Sequence, residues 1–205
     1  MKYPQRGSLL FLILALSLLG AARADEAKHE ALLGKPAPDF KAEYAVNGTF
    51  KGLADLKGKV VLLVFGHLSK SPTWNVLSTA DGWYARHKSD GFEVFVIPVY
   101  DYKAAEQWRW SRFEPTSGKA FKAKNATREQ EEMALKAFAT DRQLTYPLLR
   151  LAPEEASKIF GDTYGVTSVP QSVLIDRKGI VRLIRVGDGD EKLRSLEMTI
   201  DKLAK

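Results

Sequence analysis

The stretch Val60-Val61-Leu62-Leu63-Val64-Phe65, followed by Gly66-His67-Leu68-Ser69-Lys70-Ser71-Pro72-Thr73 and then Trp74 to Lys88, decides the fold. A continuous β-branched and apolar run bounded by Lys57-Gly58-Lys59 fits a strand buried on both faces. Beyond it, Trp74, Leu77, Ala80, Tyr84 and His87 recur at helical spacing, with Ser71 as the expected cap and Pro72 at the first helical position. Asp81-Gly82 weakens this helix by roughly 1 kcal/mol. Ser89-Asp90-Gly91 closes it, and Phe92 to Tyr100 reads as a second buried strand. Strand, helix and buried strand in this order, continued by the elements below, place the chain in the α/β class.

Outward from this unit the punctuation is clear. Toward the N-terminus, Lys35-Pro36-Ala37-Pro38 holds the chain extended, and Phe40 to Val46 with Asn47-Gly48 and Thr49-Phe50 reads as a hairpin. Toward the C-terminus, residues 101–128 lack periodicity and read as an irregular or partly helical insertion. Glu129 to Arg142 carries Met133, Leu135, Ala137 and Phe138 on a helical pattern, and Pro153 to Phe160 is a shorter helix closed by Gly161. Gln171 to Asp176 and Ile180 to Val186 form an antiparallel hairpin through Arg177-Lys178-Gly179. Asp190 caps a last helix, Glu191 to Lys205, with Leu193, Leu196, Ile200 and Leu203 inward. The expected architecture is a three-layer α/β fold with a central mixed sheet.

The chain has 205 residues, 45% of them apolar, and no cysteine. That composition excludes disorder and a disulfide framework, and the missing sulfur excludes any thiolate mechanism, Cys-ligated zinc, iron-sulfur cluster or covalently attached haem. Residues 1–24 read as a secretory signal: Lys2 and Arg6 open it, Leu9 to Gly20 is apolar or small, and Ala22-Arg23-Ala24 ends it as a cleavage site. The competing reading is an uncleaved anchor, although a spanning helix needs roughly 20 apolar residues. Either way the chain is expected to be periplasmic or secreted, and to meet the membrane only through an uncleaved signal. Residues 25–33 are a polar lead-in and 34–205 one domain. Loss of Lys2, Arg6 and Arg23 halves the net charge of +6, so nucleic acid is not an expected partner.

With these pieces in place the chain resembles the secreted or periplasmic thioredoxin-like thiol-disulfide oxidoreductases of TlpA type and the wider redoxin group. The matching pieces are GKPAPDF (34–40), DLKGKVVLLVF (55–65), YARHKSDGFEVFVIPV (84–99) and YGVTSVPQSVLIDRKGIV (164–181), in the family's order. The resemblance implies a thioredoxin-like fold, and it makes Pro170 the family's cis-proline facing the active site. It also implies a W-C-x-x-C motif after the first central strand, where a helix N-terminus lowers the first thiol's pKa. Here Ser69 stands for the Trp and Lys70-Ser71-Pro72-Thr73 for C-x-x-C, with Lys70 and Thr73 in the cysteine places. A copper chaperone of Sco type shares Phe65-Gly66 but needs C-x-x-x-C, which Lys70 and Trp74 cannot replace. A peroxidatic thiol of peroxiredoxin type is absent from the same loop.

The other candidates are weaker. Lys70 beside Ser69, Ser71 and Thr73 could hold a small anion at the helix start, against the plainer reading of a solvated lysine at a lost active site. His29, His67 and His87 are scattered, so no metal site is expected. Asp188-Gly189-Asp190-Glu191 lacks the later ligands of a calcium loop, and Glu131-Glu132 and Glu154-Glu155 read as solvated helix faces. No nucleotide-binding or hydrolase motif is present and no cofactor is expected. Asn47-Gly48-Thr49 and Asn125-Ala126-Thr127 are glycosylation sequons that matter only in a eukaryote.

These residues support two functions. In the first the chain is a non-redox binding protein that holds an extended peptide or another protein by strand addition at Val169 and Pro170, with His67, Lys70 and Trp74 beside it. In the second it keeps a redoxin-type role with thiols supplied by a partner. A secondary surface is open to two readings. Trp108, Arg109, Trp110 and Arg112 in the insertion either pack onto the sheet's edge or present an aromatic and basic face to an acidic or glycan ligand.

Overall fold

In the computed structural model, residues 26–68, 70–99, 110–113, 120–123, 128–166 and 168–205 are described. The expected signal, residues 1–24, lies outside them. The run Val60–Gly66 is a strand, β2, buried along its whole length. Its alternation serves two cores. Val60, Leu62 and Val64 point to one face of the sheet, and Val61, Leu63 and Phe65 to the other.

The central sheet has the order β1-β6-β3-β2-β7-β8, built from β1 (Tyr44–Val46), β2, β3 (Phe92–Pro98), β6 (Leu148–Arg150), β7 (Gln171–Ile175) and β8 (Val181–Val186). β2 runs parallel to β3 and antiparallel to β7, so the sheet is mixed. On one face pack α1 (Ser71–His87) through Val76, Leu77, Ala80 and Trp83, α2 (Arg128–Asp141) through Leu135, Phe138 and Ala139, and α4 (Asp190–Ala204) through Leu196 and Ile200. On the other pack α3 (Pro153–Ser157) and the π-helical turn Lys158–Thr163 through Ala156, Ile159 and Phe160. This is the three-layer, thioredoxin-like arrangement.

Several local expectations are corrected. Asn47, at φ 62, and Gly48 do turn the chain, but β1 pairs with β6 rather than with Thr49-Phe50. The reason is local: Asn47 Nδ2 donates to the Leu144 carbonyl at 2.8 Å, which ties the turn to the segment leading into β6. Residues 26–32 are helical rather than a plain lead-in, and Lys28 Nζ donates to the Gly161 carbonyl at 2.8 Å. Gly161 lies inside the π-helical turn instead of closing a helix. Lys70 and Gly189, not Ser71 and Asp190, are the N-caps of α1 and α4.

The insertion contains a two-stranded antiparallel sheet, β4 (Trp110–Phe113) with β5 (Ala120–Ala123), in place of the expected irregular or helical excursion. Met133 on α2 is exposed, so the inward stripe of that helix is Leu135, Phe138 and Ala139. Glu131 is not solvated: it is buried and accepts a hydrogen bond from Arg150 Nε at 2.9 Å, while Arg150 also pairs with Glu43 at 3.1 Å.

The β7–β8 turn is held by one carboxylate. Asp176 accepts hydrogen bonds from the N–H groups of Lys178 and Ile180, each at 2.9 Å, and from Arg182 Nε at 2.6 Å. Burial pushes the Asp176 carboxyl up, but these donors outweigh it and hold the group below the usual carboxylate range.

Candidate functional site

β2 ends at Gly66, and the path of the chain beyond it is set by how closely α1 approaches the strand. A Cβ on residue 66 would collide with Thr73 Cγ2, so only glycine lets the first turn of the helix settle onto the strand end. The Lys70 N–H donates to the His67 carbonyl at 2.9 Å, closing the loop. Lys70 is extended at φ −108 and ψ 130, and its carbonyl accepts from the N–H groups of Thr73 at 3.1 Å and Trp74 at 3.3 Å. Its side chain is exposed.

Thr73 is fully buried, and its hydroxyl has no hydrogen-bond partner among the described residues. Lys70 and Thr73 therefore have opposite surroundings, one at the surface and one covered. Trp74 donates its indole N–H to the Leu68 carbonyl, and the Arg142 guanidinium lies over its ring at 3.9 Å from the centroid.

Facing this turn is the start of β7. Because Phe65 stands opposite Gln171 and Val64 opposite Ser172, Val169 and Pro170 lie at the same end of the sheet as Gly66 to Trp74. The Val169–Pro170 peptide bond is cis. Pro170 is buried and its carbonyl accepts from the Gly187 N–H at 2.7 Å. Val169 is partly exposed and makes no backbone hydrogen bond among the described residues. Gln171 Nε2 donates to the Tyr164 carbonyl at 2.9 Å, and Ser172 Oγ is buried without a partner. His67, Lys70, Thr73, Trp74, Val169 and Pro170 thus share one end of the fold.

The second candidate surface is not assembled in the same way. Trp110 and Arg112 stand in β4, and Trp108 and Arg109 lie outside the described residues. Among the described residues no group of three or more His, Asp or Glu could hold a metal. His29 binds the Gly165 carbonyl at 3.2 Å, and His87 sits between Asp201 at 2.8 Å and Asp90 at 3.5 Å.

Sequence reasoning missed one feature beside the site. Trp74, Leu77 and Asp81 on α1, with Phe138 on α2 and Arg142 and Leu144 just beyond it, line a cleft of about 200 Å³. Burial lifts the Asp81 carboxyl to about 6, against a smaller opposing effect of a hydrogen bond with the Tyr146 hydroxyl. Burial and the neighbouring Asp81 hold that hydroxyl above the ordinary phenol range. In the sequence Asp81 stands out only as half of a helix-weakening pair. Arg142 gives no signal there, since its position over Trp74 depends on how α2 docks on α1.

Against known proteins, a family model described as AhpC/TSA matches residues 33–184. The thiol-disulfide oxidoreductase ResA of Bacillus anthracis is 25% identical over 208 residues, covering 97% of this chain and 98% of that protein. Peroxiredoxin-2 of Pongo abelii is 29% identical over 173 residues, 79% of this chain and 81% of that one. Among solved structures, a putative thiol:disulfide interchange protein DsbE from Chlorobium tepidum superposes with a TM-score of 0.57 at 25% identity. It covers 84% of this chain and 98% of that one.

Proposed function

The chain belongs to the AhpC/TSA family, and from that premise we propose that it is a non-redox member that binds an extended peptide or another protein at the former active-site face. The observation that carries this reading is the contrast at the end of β2. The scaffold around the motif is retained, with Gly66 fitted to Thr73 and Val169-Pro170 at the same end, while Lys70 and Thr73 stand where the thiols would be. Without sulfur no electron pair can pass through this site. Val169, with its backbone groups unpaired among the described residues, offers the hydrogen bonds that strand addition needs. His67, Lys70 and Trp74 supply a partly exposed rim. The composition of residues 1–24 supports a periplasmic or secreted location, where unfolded or partner proteins would be met.

The absence of cysteine gives a clean test, because a single introduced thiol can be labelled without side reactions. A Lys70→Cys chain carrying a fluorophore should change emission saturably when reduced, carboxymethylated lactalbumin is added, and the same label on Lys205→Cys should not respond. An unchanged signal at position 70, or equal responses at both positions, would overturn the proposal.

A further inference from the structure

The cleft between α1 and the end of α2 holds two opposite charges that do not use each other. The Arg142 guanidinium lies over the Trp74 ring, 3.9 Å from its centroid, and its Nε is buried without a hydrogen bond among the described residues, with the neighbouring Asp141 carboxylate at 3.3 Å. Asp81 has the Tyr146 hydroxyl beside it and feels no cation strongly enough to offset its burial. Between them the lining is mixed, with Leu77, Phe138 and Leu144, all buried, beside the exposed Asn75 and Ser78. A space of about 200 Å³ is below the range of roughly 300–1,000 Å³ that suits drug-sized ligands, so the occupant must be small.

We propose that this cleft binds a free, zwitterionic amino acid with an apolar side chain, its carboxylate on Arg142, its ammonium on Asp81 and its side chain on the Leu77, Phe138 and Leu144 floor. Arg142, over the Trp74 ring, and Asp81 both line this cleft. A lone carboxylate would leave Asp81 facing a like charge, and a lone amine would leave it to Arg142. The zwitterion matches both ends, and its ammonium gives the Asp81 carboxylate the cation that the protein does not. This site shares Trp74 with the rim beside the Val169 edge but does not require peptide binding there.

Calorimetric titration of the full chain with L-leucine, 4-methylpentanoate and isoamylamine tests the assignment. Leucine should bind saturably, and 4-methylpentanoate and isoamylamine, each lacking one charge, should bind at least tenfold more weakly. Arg142→Gln and Asp81→Asn should each weaken leucine binding by at least tenfold, with cooperative unfolding retained. The emission response of labelled Lys70→Cys to lactalbumin should persist in Asp81→Asn. No saturable heat with leucine, 4-methylpentanoate binding as tightly as leucine, or variants that bind as the parent does would overturn the proposal.

Discussion

Replacing Asp81 by Asn should stabilise the protein at neutral pH, and the size of the effect can be worked from its position. Asp81 sits on α1 against Tyr146, and burial lifts its carboxyl from 3.8 to about 6. At roughly 1.36 kcal/mol per pH unit this corresponds to about 3 kcal/mol against the ionised form. Solvent reaches the cleft, so about half of that, ~1–2 kcal/mol, is expected in practice. Below the unfolded value of 3.8 the carboxyl is protonated in both folded and unfolded chains, and the penalty is absent. Above about 6 it is ionised in both, and the folded chain bears the penalty in full. Asp81→Asn keeps a hydrogen-bonding side chain beside Tyr146 and removes the titration. Urea unfolding of parent and variant at fixed salt, followed from about pH 3 to about pH 8, should show equal stability at the acid end. Above about pH 6 the variant should lead by ~1–2 kcal/mol. A gap that does not vary with pH, or a variant weaker than the parent at pH 7, would refute the reasoning.

Three further perturbations read the site and its support. Thr73→Val replaces a buried hydroxyl that has no partner among the described residues and should raise the unfolding free energy by about 1 kcal/mol in urea titration; a loss would show that the hydroxyl is bonded. Gly66→Ala should cost ~1–3 kcal/mol through its collision with Thr73 Cγ2, and adding Thr73→Ser, which removes that methyl, should recover much of the loss. Asp176→Ala should cost ~2–3 kcal/mol at pH 7, since it removes charge-assisted bonds at the β7–β8 turn. Because the folded carboxyl is held below its unfolded value of 3.8, that gap should persist above about pH 4 and close only as the pH falls through the lower folded value.

How much of the fold and site is legible in the sequence depends on whether the signal is local. β2, α1 and the β7–β8 hairpin are readable because a buried strand, a helical stripe and an Arg-Lys-Gly turn declare themselves within a few residues. β6 escapes such a reading since Leu148–Arg150 is short and comes directly after Pro147; it is a strand only because β1 and β3 flank it. Asn47-Gly48 marks the turn but not its partner, which the Leu144 contact and the Arg150 ion pairs choose from a distance. Glu131 misleads for the same reason, as its burial depends on Arg150. At the site, matching motifs locate the two cysteine-equivalent positions, whereas the Arg142 and Trp74 stack requires knowing how α2 sits on α1.

We propose that this family scaffold carries no redox chemistry of its own, because Lys70 and Thr73 stand where the two thiols would be. Insulin reduction by dithiothreitol tests this, with the parent and a Lys70→Cys/Thr73→Cys chain run side by side. The parent should be indistinguishable from a heat-killed control, and the double variant, with one thiol exposed at the cap of α1 and one buried behind it, should accelerate the reaction. Turnover by the cysteine-free parent above the heat-killed control would contradict it.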